Sequence, residues 1–366
     1  MVHPRHDPRR RRIPFKEWPV EDQKAWMNAL APGSVLEEGG AAAHWAPLSR
    51  RNRKGAYGRW LNFLDRNDRL NSDRHPPDRV TRERVRDYIM ELQKTTSSYT
   101  VLSYIEDLYA VMKVTSPLRD WTWLRKTANR LQVAAVSQRD KNTRLRPSAD
   151  LYTLGIQLMN DTETATGRPI LNRATRYRDG LIIALLAARP IRRRNLGRII
   201  IGQNLIKTSD CYWLHFKASE TKTLCPIDLP LPATLTPFMN RYLDHHRRVL
   251  LRDGKCQNLW VSKDRTAMTE QKLYTAVRAR TEEAFGKPIN LHMFRDAAAT
   301  SIAIEDPDHV RIAATLLGHS SLATTQKYYD QSRMLAAGRK YQSTLNQLRN
   351  KLRTEMRSPP QDKHRR

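Results

Sequence analysis

Three histidines, two arginines and a tyrosine pair fall within Asn290–Asp330, a stretch otherwise made largely of small apolar residues at helical spacing. His292 and Arg295 stand three apart, and on a helix such residues share a face. Ala313 to Leu317 is mostly apolar and gives way to Gly318-His319, as a helix C-terminus and its turn would. Ser320-Ser321 then offers an N-cap for a short helix leading to Tyr328. Brought together, Arg295, the imidazoles of His292 and His319 and the phenol of Tyr328 would form an anion-binding site with an oxygen nucleophile beside it. His309 reads as an ordinary hydrogen-bonded histidine.

Composition says which anion to expect. The 366 residues carry 65 Lys and Arg against 37 Asp and Glu, a formal charge of +28. A charge of that size repels itself unless a polyanion is bound, so nucleic acid is the leading partner and an anionic membrane surface the rival. No apolar run reaches the roughly 18 residues of a spanning helix. The opening MVHPRHDPRRRR has no apolar segment after its charges and is not read as a signal peptide. Cys211, Cys225 and Cys256 are scattered without a CxxC, which argues against a structural zinc site or a disulfide framework and suits a reducing cytoplasm.

The elements that must position these residues can be read in order. Residues 1–46 form a basic arm with a short helical piece from Pro14 to Leu30, whose Trp18, Trp26, Met27 and Leu30 would dock on something, and a Gly-Gly-Ala-Ala-Ala linker at 39–43. Residues 47–137 read as four helices. Tyr57, Trp60, Leu61 and Leu64 make one apolar face. Thr81 caps a helix with Val85, Tyr88, Ile89 and Leu92 inward. Ser97 or Ser98 caps the next, and Trp121 to Val136 is the last. Residues 138–148, charged and poor in apolar groups, form a linker. A second domain at 149–335 opens with helices around Leu151–Met159 and Tyr177–Ala187. Strands follow at Arg198–Gly202, Tyr212–Phe216 and Thr221–Leu229. Further helices cover 235–251 and 269–285, with Trp260-Val261 in an irregular stretch between them. The fold class expected is mainly α with a small antiparallel sheet in the C-terminal domain. In 336–366, Tyr341, Leu345, Leu348, Leu352 and Met356 recur at helical spacing, an amphipathic helix before a basic tail.

The pattern His292-x-x-Arg295, then Leu317-Gly318-His319, then Thr325-Gln326-Lys327-Tyr328 resembles the second half of the tyrosine recombinase (phage integrase) signature. That family has an Arg after a buried helix, in a pattern of the form apolar-R-x-x-E-L. Ile191-Arg192-Arg193-Arg194-Asn195-Leu196 resembles it and registers the residue at Arg192, with Arg193 the alternative among three consecutive arginines. The acidic position of the pattern is Asn195 here, and the usual Gly before the Arg is replaced by Arg189-Pro190. The family also carries a Lys on a β-hairpin, which Glu220-Thr221-Lys222-Thr223-Leu224 resembles, favouring Lys222 over Lys217. The resemblance spans about residues 150–335. The helical region before it is similar to the family's core-binding domain in size, position and helix content.

What the resemblance implies is a catalytic set of Arg192, Lys222, His292, Arg295, His319 and Tyr328, no cofactor and no metal. Two guanidiniums, Arg192 and Arg295, would hold the nonbridging phosphate oxygens as charge builds in the transition state. Tyr328 would be the nucleophile. Its neighbour Tyr329 points about 100° away on a helix, and the spacing from His319 favours Tyr328. Lys222 would protonate the leaving 5′-oxygen, His292 would exchange a proton with the tyrosine, and His319 would donate to the phosphate. Glu305, Asp306 and Asp308 beside His309 read as a solvated turn rather than a cation site. The partners implied are a specific double-stranded DNA site and further copies of the chain, a dimer per site and a tetramer in synapsis joined through the C-terminal helix. Accessory directionality factors would set the outcome, and the place of action would be the nucleoid in the cytoplasm.

Three other readings share parts of this evidence. A type IB topoisomerase-like enzyme would use the same tyrosine chemistry as a monomer, against which the C-terminal amphipathic helix argues. A non-catalytic DNA-binding protein on the same fold would account for Asn195 and Arg189-Pro190, but not for six filled site positions. A basic membrane-surface or RNA-binding protein would explain the charge alone.

Overall fold

A computed structural model of the chain describes residues 7–34, 36, 38–136, 144–164, 167–305 and 341–349. The chain divides into two compact units, Met1–Asp140 and Lys141–Arg366, and the break falls inside the stretch read as a linker.

The first unit holds α1 (Val20–Leu30), α2 (Pro47–Arg66), α3 (Arg82–Thr95), α4 (Ser98–Thr115) and α5 (Thr122–Ala134). Pro47 opens α2, where the missing N–H costs nothing. Thr81 caps α3 by accepting from Arg84 N. Ser97 is the cap residue of α4, but its hydroxyl meets Thr100 Oγ1 instead of a backbone N–H. The apolar faces read from spacing are the buried ones: Tyr57, Trp60, Leu61 and Leu64 on α2, Val85, Tyr88 and Leu92 on α3, and Val101, Ile105, Leu108 and Met112 on α4.

From Ile13 onward the N-terminal segment docks on this helical core, as its tryptophans suggest. Ile13, Trp18, Trp26, Ala42 and Trp45 belong to the same core as α2–α5. Trp18 Nε1 donates to Ile13 O at 2.9 Å, and the Trp18 ring lies edge-on to Tyr57 and Trp26 at 5.0 and 5.8 Å. The run at 39–43, read as a linker from its composition, is a close-packed return. Gly40 N donates to Ala31 O and Ala42 N to Ala29 O, and a Cβ on Gly40 would sit 2.2 Å from Asn28 O. Small residues are there because two backbones touch. A buried polar knot ties α1 to the rest: Arg79 pairs with Asp22, whose other oxygen accepts from Tyr57 Oη at 2.6 Å.

The second unit is built around α7 (Ile170–Ala188), which follows α6 (Ser148–Thr164). From Ala174 to Ala187 every residue of α7 except Arg176 is buried. Gly155 of α6 and Gly180 of α7 let these helices touch backbone to backbone. A Cβ on Gly155 would meet Gly180 O at 2.7 Å, and one on Gly180 would meet Gly155 O at 2.8 Å. The charged pair inside α7 is satisfied internally. Asp179 accepts from Arg178 and from Arg280 of the later helix, and Arg178 Nη1 donates to Val261 O at 2.8 Å.

After α7 come the short α8 (Arg193–Gly197) and a three-stranded antiparallel sheet, β1 (Leu205–Lys207), β2 (Tyr212–Phe216) and β3 (Ile227–Pro230), in the order β1-β2-β3. Leu214 sits opposite both Leu205 and Leu229. Tyr212, Leu214 and Phe216 face the core with the period of two that a half-buried strand requires. Two of the expected strands are different. Arg198–Gly202 makes only isolated bridges, Ile200 with Asn258 and Ile201 with Leu205. There the Asn204 carboxamide caps Ile200 N at 3.1 Å and Gly202 turns the chain at φ 81°, so its β-branched residues mark burial rather than pairing. Thr221–Leu224 is a turn. Thr221 Oγ1 bonds back to Ala218 O and Cys225 O, and Leu224 has φ 54°. Only from Ile227 does the returning strand pair.

The helix expected at 235–251 forms as α9 (Thr236–Arg241), a π turn at Tyr242–His246, and α10 (Arg247–Leu251). Then α11 (Glu270–Phe285), capped by Thr269 and closed by Gly286 at φ 69°, leads to α12 (Leu291–Glu305). Residues 341–349 are helical, with Tyr341 and Leu348 exposed. Leu352 and Met356 lie outside the described residues. No helix among the described residues is long and apolar enough to cross a membrane.

An acid-sensitive contact joins α6 to the π turn. Glu163 accepts from Arg241 at 2.9 Å and meets His246 Nε2 at 2.7 Å, while the His246 ring stacks on Tyr177 at 3.9 Å. The Arg241 hydrogen bond, aided by His246, brings the Glu163 carboxyl down to about 2, and burial lowers the His246 imidazole from its ordinary 6.5. Both groups therefore bind protons more readily in the unfolded chain. Stability should be full above about pH 6.5, falling first as His246 is forced to charge and again between about pH 4.5 and 2 as Glu163 is protonated. Urea midpoints measured across this range should show both losses, with His246→Gln abolishing the upper step and Glu163→Gln the lower. Gly40→Ala should destabilise the first unit by roughly 1–3 kcal/mol through backbone overlap. Gly55→Ala in α2 would meet only the movable end of the Arg12 side chain and should be neutral or gain up to about 1 kcal/mol of helix propensity.

Candidate active site

Four of the six residues singled out by the sequence converge. Arg192, Lys222, His292 and Arg295 line one open pocket of about 460 Å³, together with Arg193, Tyr274, Asn290 and Leu291. His319, Tyr328 and its neighbour Tyr329, with His309 and the acidic residues Asp306 and Asp308, lie outside the described residues.

Each element delivers its residue for a local reason. Buried α7 runs out at Ala188, and Pro190 prevents its continuation. Arg189 does not face the pocket. Its guanidinium donates to Ala188 O at the helix end and to Pro230 O at the end of β3, both at 2.8 Å, and burial lowers its pKa. The substitution at the usual Gly position thus ties α7 to the sheet. Arg192, the cap residue of α8, is half-buried, with Nη1 3.5 Å from Thr223 Oγ1 of the β2–β3 connection. Arg193, at the same pocket, is exposed, pairs with Glu270 at 3.1 Å and lies over the Tyr274 ring.

Lys222 is exposed in the turn between β2 and β3, not on a strand, and it reaches the pocket where Lys217 does not. That turn is held from below. Glu220 Oε2 accepts from Lys217 N at 2.7 Å and Oε1 from the buried Asn204 at 3.3 Å. Buried Asn195, the residue at the pattern's acidic position, directs Nδ2 to Glu220 O at 3.4 Å. An amide can donate to a carbonyl and a carboxylate cannot, so Asn195 joins α8 to the turn that carries Lys222.

His292 and Arg295 both sit in the first turn and a half of α12. Asn290 starts that helix, its Oδ1 accepting from His292 N at 3.0 Å and Met293 N at 3.2 Å. His292 is exposed, 3.7 Å from the Asp296 carboxylate. Arg295 is 7% exposed and donates from Nη1 to Pro190 O at 2.6 Å. A guanidinium carries five N–H donors, so this bond fixes the group without exhausting it. The pocket combines three guanidiniums, an ammonium and an imidazole, an arrangement suited to a phosphate-like anion. Among the described residues no group of three or more His, Cys, Asp or Glu side chains is placed to hold a metal ion.

Sequence reasoning overlooked Asn290 as the cap of α12, although Asn directly before the helix was a readable signal. It also missed Tyr274, Asn204 and the Pro190 carbonyl. Nothing local marks these, because their relevance arises only from contacts between segments distant in sequence.

Comparison with known proteins bears on the same region. Residues 157–334 match the phage integrase family. The tyrosine recombinase XerD of Neisseria meningitidis serogroup B is 30% identical over 100 residues, covering 27% of this chain and 34% of that protein. The XerD of Pseudomonas putida is 27% identical over 169 residues, covering 46% and 54%. The chain thus spans about a third to a half of the length of the curated relatives it matches. The crystal structure of the XerH site-specific recombinase bound to its difH substrate, a pre-cleavage complex, is similar in fold. Its TM-score is 0.55 at 16% identity, over 90% of this chain and 99% of that one. The matched segment contains α7, the β2–β3 turn and α12 alike, so residues 157–334 of this chain belong with the phage integrase family, and the relatives matched are tyrosine recombinases.

Proposed function

We propose that this chain is a site-specific DNA recombinase that cleaves and rejoins double-stranded DNA through a covalent 3′-phosphotyrosine intermediate. The observation that carries the reading is the single pocket lined by Arg192, Lys222, His292 and Arg295, which are drawn from two distant parts of the chain. Family membership supports it, as does the similarity in fold to a recombinase whose structure contains its DNA substrate.

In the proposed reaction a DNA phosphate enters the pocket with its nonbridging oxygens toward Arg192 and Arg295. The Tyr328 phenol loses its proton, with His292 as acid/base partner, and its oxygen attacks phosphorus. The bond to the 5′-oxygen breaks, and Lys222 supplies the proton that this leaving group requires. His319 donates to a phosphate oxygen. The phosphotyrosine conserves the energy of the broken ester, so a second strand's 5′-hydroxyl can reverse the step and rejoin DNA without ATP. The charge that a metal could supply is provided by the two guanidiniums. Arg192 is preferred to Arg193 because it is half-buried and turned toward the Lys222 turn, whereas Arg193 is exposed and paired with Glu270. Synapsis would use a dimer per site and a tetramer in all, joined through the C-terminal helix.

The test is covalent trapping on a nicked suicide duplex drawn from DNA flanking the gene, in EDTA. A denaturation-resistant protein–DNA adduct should form, persist in Tyr329→Phe and vanish in Tyr328→Phe. Loss only in Tyr329→Phe would shift the nucleophile by one residue, and no adduct on DNA that the protein binds would favour a non-catalytic DNA-binding protein. In single-turnover cleavage Arg192→Ala should be slower by about 10²–10³-fold, as for removal of a transition-state donor. Arg193→Ala should lose less than about tenfold, and the reverse order would reassign the register.

A further inference from the structure

A second cluster of cations lies at the other end of α7. Arg168, Asn172, Thr175, Arg176, Lys263 and Arg280 line a pocket of about 330 Å³. That is the small end of the range for ligand pockets, and the lining is cationic and polar where such pockets are usually apolar. From Asn172–Arg176 to the end of α7 is 12–16 residues, about 20 Å at 1.5 Å per residue. One phosphate cannot occupy both this pocket and the one around Arg192.

Hydrogen-bond donors outnumber acceptors here. Arg176 Nη1 and Arg280 Nη1 share the Glu283 carboxylate at 2.8 and 3.2 Å, and Arg280 Nε takes an oxygen of Asp179 at 3.1 Å. Asp179 is shared in turn with Arg178. Lys263 Nζ donates to Asn172 Oδ1 at 2.9 Å, which neutralises none of its charge. Arg176 Nε is a buried donor with no acceptor among the described residues. Arg168, at the rim, has no hydrogen-bond or ion-pair partner among them and is exposed, as is Lys263. Of the four cations lining the pocket, only Arg176 and Arg280 are paired with carboxylates, Glu283 and Asp179, and Asp179 is shared with Arg178. The Arg176 and Arg280 planes are held in place by ion pairs, while Arg168 and Lys263 stay open to solvent. Preorganised guanidiniums beside accessible cations suit a compact oxyanion.

We propose that this pocket is a second phosphate-binding site, separate from the one around Arg192 and independent of the strand-exchange reading. Its ligand is a phosphate group, either from the DNA backbone or from a free phosphate-bearing molecule. The test uses the full chain and two equilibrium readouts: calorimetric titration with tripolyphosphate, and affinity for a 60-base-pair duplex as a function of salt. The probe variant is Arg168→Gln/Lys263→Gln, both exposed positions. Lys255→Gln/Lys287→Gln removes the same charge from elsewhere on the second unit and serves as the control. If DNA supplies the phosphate, the probe variant should weaken duplex binding roughly three- to tenfold near 0.15 M salt. It should also flatten the log–log salt slope by about one to two more than the control does. Loss of tripolyphosphate binding in the probe variant alone, with the DNA slope matching the control, would assign the site to a free ligand. Lys263→Arg should retain whichever binding is seen. Probe and control variants that behave alike in both readouts would overturn the proposal. Because neither readout involves cleavage, absence of a trapped adduct would count against strand exchange and leave this site standing.

Discussion

The hydrogen bond from Arg295 to the Pro190 carbonyl is the contact on which the architecture of the candidate pocket depends. Arg295 is almost wholly buried, and a buried cation must be matched by acceptors or it destabilises the fold. The Pro190 carbonyl is available because α7 has just ended and its proline cannot continue the helix. One side chain of α12 therefore satisfies a buried carbonyl just beyond the end of α7 and is itself oriented by doing so. Arg192 and Arg295, about a hundred residues apart in sequence, thereby line one pocket.

The β2–β3 turn is held to the same place by weaker bonds in larger number. Asn195 reaches Glu220 O, Asn204 reaches the Glu220 carboxylate, and Glu220 also accepts from Lys217 N. Asn195 and Asn204 are buried and neutral, so Glu220 supplies the one carboxylate among these bonds. Lys222 remains exposed at its tip. A rigid base under a solvent-facing ammonium suits the proton-donor role proposed for Lys222. The departures from the family pattern at Asn195 and Arg189-Pro190 are thus local rewiring, with Arg189 bonded to Pro230 and Ala188. None of it removes a residue from the pocket.

Long helices and their inward faces were legible because burial repeats with the helical period, as at Tyr57, Trp60, Leu61 and Leu64, and caps such as Thr81 obey local chemistry. Arg198–Gly202 and Thr221–Leu224 were misread for a common reason. β-branched residues record that a segment is buried or stiff, while pairing depends on whether a neighbouring strand is in reach. At Ile200 the Asn204 side chain takes the backbone donor that a strand would have used. The Gly-Ala run at 39–43 failed differently, since small residues suit a flexible linker and a tight backbone contact equally well. The eight tryptophans of the chain were the better guide. Trp18 and Trp26, before that run, are buried in the same core as Trp60 beyond it.

By itself the sequence pointed to a polyanionic partner, through a charge of +28, and to a candidate set of site residues, through the order and spacing of Arg192, Lys222, His292, Arg295, His319 and Tyr328. Those properties are additive or local, so they survive being written in one dimension. Only the tertiary structure decided that Arg192 is half-buried while Arg193 is exposed and paired with Glu270, that Asn195 ties α8 to the Lys222 turn, and that a second set of cations gathers at the far end of α7. Each of these depends on which groups are close in space and which are shielded from water. Burial and hydrogen-bond partnership are set by elements that the chain brings together only when it folds.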